Sequence, residues 1–129
     1  MRVLNIEDDA IKHSNICKVL NRHGIVECDW VKNLEDAIKM VREHKTDYEL
    51  IITDMFYPLN PGGDEVEAGF IFIREMKEKE IEIPIIVCSS VSYQVSDVLG
   101  TVHYSEKIDW EKQLGSLILR CIEEESKHF

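Results

Sequence analysis

Leu50-Ile51-Ile52-Thr53-Asp54 is the stretch on which the fold turns. A strand can bury its first four residues on both faces, and a carboxylate ends it. The same plan recurs twice. Arg2-Val3-Leu4-Asn5-Ile6 runs into Glu7, Asp8 and Asp9, and Pro84-Ile85-Ile86-Val87-Cys88 runs into Ser89 and Ser90. Short apolar runs of this kind, without strict alternation, suit strands covered on both sides, as in parallel sheets.

The segments between these runs have helical spacing. From Ala10 to Arg22, Ile16, Val19 and Leu20 fall on one face, and His23-Gly24 closes the helix. Asn33 starts a second helix, with Asp36 as a short-armed capping box and Ala37, Ile38 and Val41 as its stripe. Phe70, Ile73 and Met76 predict a third helix through about Glu80. Residues 25–31 alternate as a strand should, and residues 55–69 read as an acidic, Pro- and Gly-rich loop. Residues 91–100 are expected to form a short helix, and Thr101–Tyr104 a last strand. Asp109 is expected to cap a final helix carrying Trp110, Leu114, Leu117, Ile118, Cys121 and Ile122. Strand and helix thus alternate along the whole chain. The expected fold is a single α/β domain over residues 1–129, a doubly wound five-stranded parallel sheet with helices on both faces.

Composition narrows the function. The 129 residues are 44% hydrophobic, enough for a core, and carry a formal charge of −10. The basic residues are interleaved with Glu, so nucleic acid and anionic membrane are excluded as expected partners. No apolar run is long enough to span a bilayer and no signal peptide is visible, which makes cytoplasmic residence the expectation. Cys17, Cys28, Cys88 and Cys121 form no close pair in sequence and are expected to be reduced and buried. The five histidines show no shared ligand spacing.

In a parallel sheet all carboxyl ends of the strands face one way, and ligands bind there. Glu7, Asp8 and Asp54 should therefore crowd one rim, with Ser89 and Ser90 beside them and Lys107 arriving shortly after the last strand. Crowded carboxylates need a compensating cation. A hard divalent ion such as Mg²⁺ suits oxygen ligands in an open site. Carboxylate, metal, hydroxyl and lysine around one cavity are equipped to receive a phosphoryl group.

Ile6-Glu7-Asp8-Asp9, Ile51-Ile52-Thr53-Asp54-Met55-Phe56-Tyr57-Pro58, Pro84-Ile85-Ile86-Val87-Cys88-Ser89-Ser90 and Tyr104-Ser105-Glu106-Lys107 together resemble the receiver domain of two-component response regulators. The resemblance covers essentially the whole chain. It implies a flavodoxin-like (CheY-like) sheet of strand order 2-1-3-4-5. It implies that Asp54 accepts phosphate from a sensor histidine kinase or phosphotransfer protein. Asp8 and Asp54 would hold Mg²⁺ directly, Glu7 through water, and the Phe56 carbonyl would complete the protein ligands. Ser89 matches the switch hydroxyl, Ser90 a small-residue position, Tyr104 the switch aromatic and Lys107 the phosphoryl-binding lysine. Such a protein is a switch acting on a downstream protein target, not an enzyme, and homodimerisation is left open. With no output domain expected after the last helix, the reading is a stand-alone receiver.

The chain departs from the family pattern in four places. The stretch from Asp54 to Gly69 is long, and that from Ser89 to Lys107 is short. Ile108 replaces the usual proline, and Phe56 and Tyr57 put bulk beside Asp54. Two rival readings remain: a phosphorylation-independent adaptor on the same fold, and an aspartyl-nucleophile phosphatase of the haloacid-dehalogenase type. The phosphatase would need an acid two residues beyond its nucleophile. Phe56 stands there after Asp54, and Ala10 after Asp8. Asp9 is expected to be an N-cap, and Trp30 and Trp110 packing residues.

Overall fold

The computed structural model describes residues 1–126; the end of the expected 1–129 domain, residues 127–129, lies outside the described residues. Strands β1 (Arg2–Ile6), β2 (Glu27–Val31) and β3 (Leu50–Thr53) are joined through helices α1 (Ala10–Arg22) and α2 (Leu34–His44). A small antiparallel hairpin, β4 (Tyr57–Pro58) and β5 (Glu65–Val66), precedes α3 (Ala68–Glu78). Strands β6 (Ile85–Ser89) and β7 (Gly100–His103) and helix α4 (Trp110–Ser126) follow. The main sheet has the order β2-β1-β3-β6-β7, all neighbours parallel. Counting only its five strands, this is the expected 2-1-3-4-5.

Alternation along the strands divides the core in two. Leu4, Ile6, Ile51, Ile85 and Val87 face α2 and α3, meeting Ala37, Val41, Phe72 and Met76. Val3, Leu50, Ile52, Ile86 and Cys88 face α1 and α4, meeting Ile16, Val19, Leu20, Leu114 and Ile118. Each fully buried aliphatic contributes roughly 1.5–3 kcal/mol, so both faces must be covered for β1, β3 and β6 to persist.

The helix starts are local chemistry. Asp9 Oδ1 accepts the N–H groups of Ile11 (2.9 Å) and Lys12 (3.2 Å). Asn33 Oδ1 accepts Asp36 N–H at 2.8 Å while its amide donates to Asp36 Oδ2. Asp109 Oδ1 accepts Lys112 N–H at 3.1 Å. All three caps are as expected.

Two expectations are corrected. Residues 55–69 are not a plain loop: Tyr57 and Val66 pair across the hairpin, and α3 begins at Ala68. Residues 91–99 form no helix. They run as bends and irregular backbone between β6 and β7, with Asp97 at φ 64°. Their apolar residues Tyr93, Val95 and Val98 instead pack against the core on the α2–α3 side. At positions 93, 95 and 98 they do not share one face of a helix.

Candidate acidic site at the carboxyl ends of the strands

Glu7 follows β1 directly and Asp54 follows β3; parallel pairing of Ile6 with Thr53 sets the two acids side by side. Asp8 stands next along the rim. Oxygens of Glu7, Asp8 and Asp54 all lie within 4.8 Å of one another. Glu7 is 1% exposed and Asp54 8%, so water screens neither well.

The amine that joins them is not Lys107. Lys12, third residue of α1, turns inward, and its Nζ lies 2.8 Å from Glu7 Oε1 and 3.4 Å from Asp54 Oδ1. It donates to the Cys88 carbonyl at 2.7 Å. The Glu7 contact is ionic without hydrogen-bond alignment, since Glu7 Oε1 has no hydrogen-bond partner among the described residues. Lys107 is exposed and makes no ion pair among the described residues. The register shows why. His103 pairs with Ser89 at the end of β7, and Tyr104 N–H donates to Ser89 O at 2.7 Å. The chain then turns, with Lys107 N–H donating to Ser105 Oγ, and carries the Lys107 side chain into solvent. The expected convergence of Lys107 on Asp54 is therefore corrected to Lys12.

Lys12 was visible in the sequence. It stands four residues before Ile16 and seven before Val19, on the buried stripe of α1. A lysine on an apolar stripe must find acids, and the rim supplies them.

The electrostatics of the cluster agree. Burial pushes the Glu7 carboxyl up to about 7, with Lys12 opposing and the Asp54 charge reinforcing. Burial pulls the Lys12 ammonium down, but Glu7 and Asp54 outweigh it and hold its pKa above the ordinary value. The Lys12 shift, and the Asp54 part of the Glu7 shift, say that the pocket attracts positive charge. The hairpin adds to this. Burial and the charges of Asp8 and Asp54 raise Glu65, whose carboxyl hydrogen-bonds that of Asp8. With Glu7, Asp8 and Asp54 all ionised, three carboxylates and one ammonium leave two negative charges uncompensated, in a set of hard oxygen donors. That set fits a magnesium ion.

The remaining residues expected at the site divide. Asp54 Oδ1 accepts Met55 N–H at 2.7 Å, whereas Oδ2 receives no hydrogen bond among the described residues. Ser89 is buried at the end of β6, and its Oγ accepts Val91 N–H at 3.3 Å. Ser90 is exposed, its carbonyl accepting from His103 Nε2 at 3.0 Å. Tyr104 is half-buried: Asn15 Nδ2 donates to its hydroxyl at 2.9 Å, Trp110 packs at 4.7 Å, and Lys12 Nζ sits 5.3 Å from its ring centre. The Phe56 ring is half-buried, 6.3 Å from that of Tyr93. Trp30, expected only to pack, also donates from Nε1 to the Glu7 carbonyl at 2.6 Å.

A family model described as the response regulator receiver domain matches residues 3–102. "Two-component system protein A" of Emericella nidulans is 27% identical over 84 residues, which span 65% of this chain and 11% of that protein. Among solved structures, a LuxR-family DNA-binding response regulator from Staphylococcus aureus aligns with TM-score 0.70 and 20% identity, covering 93% of this chain and 97% of that one. The chemotaxis response regulator CheY4 of Vibrio cholerae aligns with TM-score 0.68 and 15% identity, covering 93% and 97%.

Proposed function

Because this chain belongs to the response regulator receiver domain family, we propose that it is a switch thrown by phosphorylation of Asp54. The donor would be a phosphohistidine on a sensor kinase or phosphotransfer protein, and the reader a downstream protein. The observation that carries this is the juxtaposition of Asp54 with buried Glu7 and Lys12 at the carboxyl end of β3.

The free Oδ2 of Asp54 attacks phosphorus, the P–N bond breaks, and the donor imidazole leaves, taking up a proton. Met55 N–H holds Oδ1 and so fixes the carboxylate plane. Lys12, already 3.4 Å from Asp54, supplies positive charge for the phosphoryl oxygens and takes the role that the resemblance gives to Lys107. Glu7, Asp8 and Asp54 would hold Mg²⁺, with the Phe56 carbonyl; when bound, the ion neutralises charge on the incoming phosphoryl group. Ser89 would donate from its hydroxyl to that group, and moving Oγ toward it would draw it away from Val91 N–H. Ser90, next along the chain, has no bulk to obstruct the phosphoryl group.

The readout follows from what Ser89 and Lys12 hold. Val91 begins the irregular segment 91–99, and Tyr104 lies beneath Lys12. A move of either partner changes the surface formed by that segment, β7 and α4. The two arrangements need differ by only about 1.4 kcal/mol in phosphate interaction for a tenfold shift, which one charge-assisted hydrogen bond supplies.

The adaptor reading is favoured by one observation: Lys12 already compensates Glu7 and Asp54, so the pocket is partly neutralised without phosphate. Incubation with Mg²⁺ and acetyl phosphate, followed by intact-mass measurement, tests both. One phosphoryl group per chain, absent in Asp54→Asn, is the outcome expected for the switch. No modification, and no change in heteronuclear NMR spectrum on adding beryllofluoride, would support the adaptor. Release of inorganic phosphate over many turnovers would support the phosphatase.

A further inference from the structure

A second cluster lies away from the acidic rim, where α1 crosses the β2 edge. His13 and Cys17 are one helical turn apart on α1, and Cys28 is the second residue of β2. A ring nitrogen of His13 and the Sγ atoms of Cys17 and Cys28 all lie within 4.8 Å of one another. All three residues are half-buried, so an ion could reach them.

The imidazole is held in the tautomer that a metal ligand needs. Asn5 is fully buried, and its Nδ2 donates to the Ile52 carbonyl at 2.9 Å. That leaves Asn5 Oδ1 facing His13 Nδ1 at 2.7 Å. An amide oxygen only accepts, so Nδ1 carries the proton and Nε2 keeps its lone pair. Nε2 is the atom nearer Cys17 Sγ, at 3.5 Å. The ring is further fixed by stacking on Trp30, centroids 4.3 Å apart and planes 6° from parallel. A buried polar group that sets the tautomer and leaves Nε2 unprotonated beside the thiols is the support that ligating histidines use.

We propose that His13, Cys17 and Cys28 bind one zinc(II) ion, with the fourth position left to water or an added ligand. Two thiolates and a neutral imidazole bring the site to zero net charge, a donor set suited to a thiophilic cation. Uptake releases two thiol protons. Burial raises both thiols above their ordinary pKa, so they are protonated until a cation displaces the protons. The ion would tie β2 to α1 one residue beyond Lys12.

The test uses the full chain, reduced, in excess Mg²⁺ so that the acidic rim is not the site read. Zinc is titrated in competition with a chromophoric chelator, and cobalt(II) is added in parallel to detect thiolate-to-metal charge transfer. The expected result is one zinc per chain and a sulfur–cobalt band. Affinity should fall by about 100-fold or more in Cys17→Ser/Cys28→Ser and be retained in Cys88→Ser/Cys121→Ser. His13→Gln should weaken binding while keeping the cobalt band. Zinc held equally by Cys17→Ser/Cys28→Ser, or no zinc taken up by the reduced native chain, overturns the proposal. So does a Cys17–Cys28 disulfide that forms in place of zinc retention.

Discussion

Lys12 Nζ stands 3.4 Å from Asp54 Oδ1, reaching the end of β3 from the first turn of α1. The cation that serves the acidic rim is thus carried by a helix rather than by the segment after the last strand. Lys12→Met keeps the stem and removes the charge. Phosphorylation from acetyl phosphate should slow by about tenfold or more, the equivalent of roughly 1.4 kcal/mol of lost charge stabilisation. Magnesium affinity should rise, because a competing cation has gone. Lys107→Met should leave both unchanged. Fluorescence titration and phosphorylation kinetics on the two variants decide it; the reverse ranking would return the role to Lys107.

Gly69 brings α3 close against the backbone of Asp54 and Met55. A Cβ placed there would lie 2.7 Å from the Asp54 carbonyl oxygen and 2.7 Å from Met55 Cα, and Gly69 N–H donates to Met55 O at 3.1 Å. Backbone atoms cannot yield as a flexible side chain can. Gly69→Ala should therefore cost about 1–3 kcal/mol by overpacking and displace Asp54 as well. Denaturant melts should show the loss of stability. Magnesium affinity, measured under conditions where the variant is fully folded, should show the displacement.

What the sequence revealed depended on whether a feature was local. The buried strands and the caps at Asp9, Asn33 and Asp109 rest on neighbours within four residues, and each is where the pattern put it. Glu7, Asp8 and Asp54 came together because parallel strands of fixed register deliver their ends to one rim. Lys107 misled because four residues beyond the end of β7 is far enough for a turn to redirect a side chain. The 91–99 segment misled because tertiary packing takes Tyr93, Val95 and Val98 up singly, a long-range effect that no local pattern shows. Cys17 and Cys28, eleven positions apart, become neighbours only when α1 lies across β2. The spacing of His13 and Cys17 on one helix face was the available signal for that pair.

The hairpin brings a fourth acid to the rim. Glu65 hydrogen-bonds Asp8, and the charges of Asp8 and Asp54 raise it. It is exposed, so its influence is modest, up to about 1 kcal/mol. Glu65→Gln should lower magnesium affinity by no more than about five-fold and leave the maximal extent of Asp54 phosphorylation unchanged at saturating magnesium. A titration of both variants at low and high salt checks the electrostatic origin, because screening should shrink the difference.

Asp29 gives the fold a dependence on pH that the acidic rim does not share. Its carboxylate accepts from Tyr48 Oη at 2.5 Å and from Arg2 Nη2 at 2.8 Å, joining β1, β2 and the segment that leads into β3. Burial acts to raise its pKa, but the hydrogen bonds from Tyr48 and Arg2 outweigh that, and the group sits below the ordinary 3.8. The unfolded chain therefore binds this proton more readily than the native one. The stabilisation is complete above about pH 4, the usual aspartate value, and is lost as pH falls through the depressed native value. Asp29→Asn should melt below the native chain at pH 7, and the gap should close as the buffer is taken toward pH 2. Thermal melts of the two proteins across that range test it; a gap that stays constant with pH would mean that the carboxylate charge contributes nothing to joining these strands.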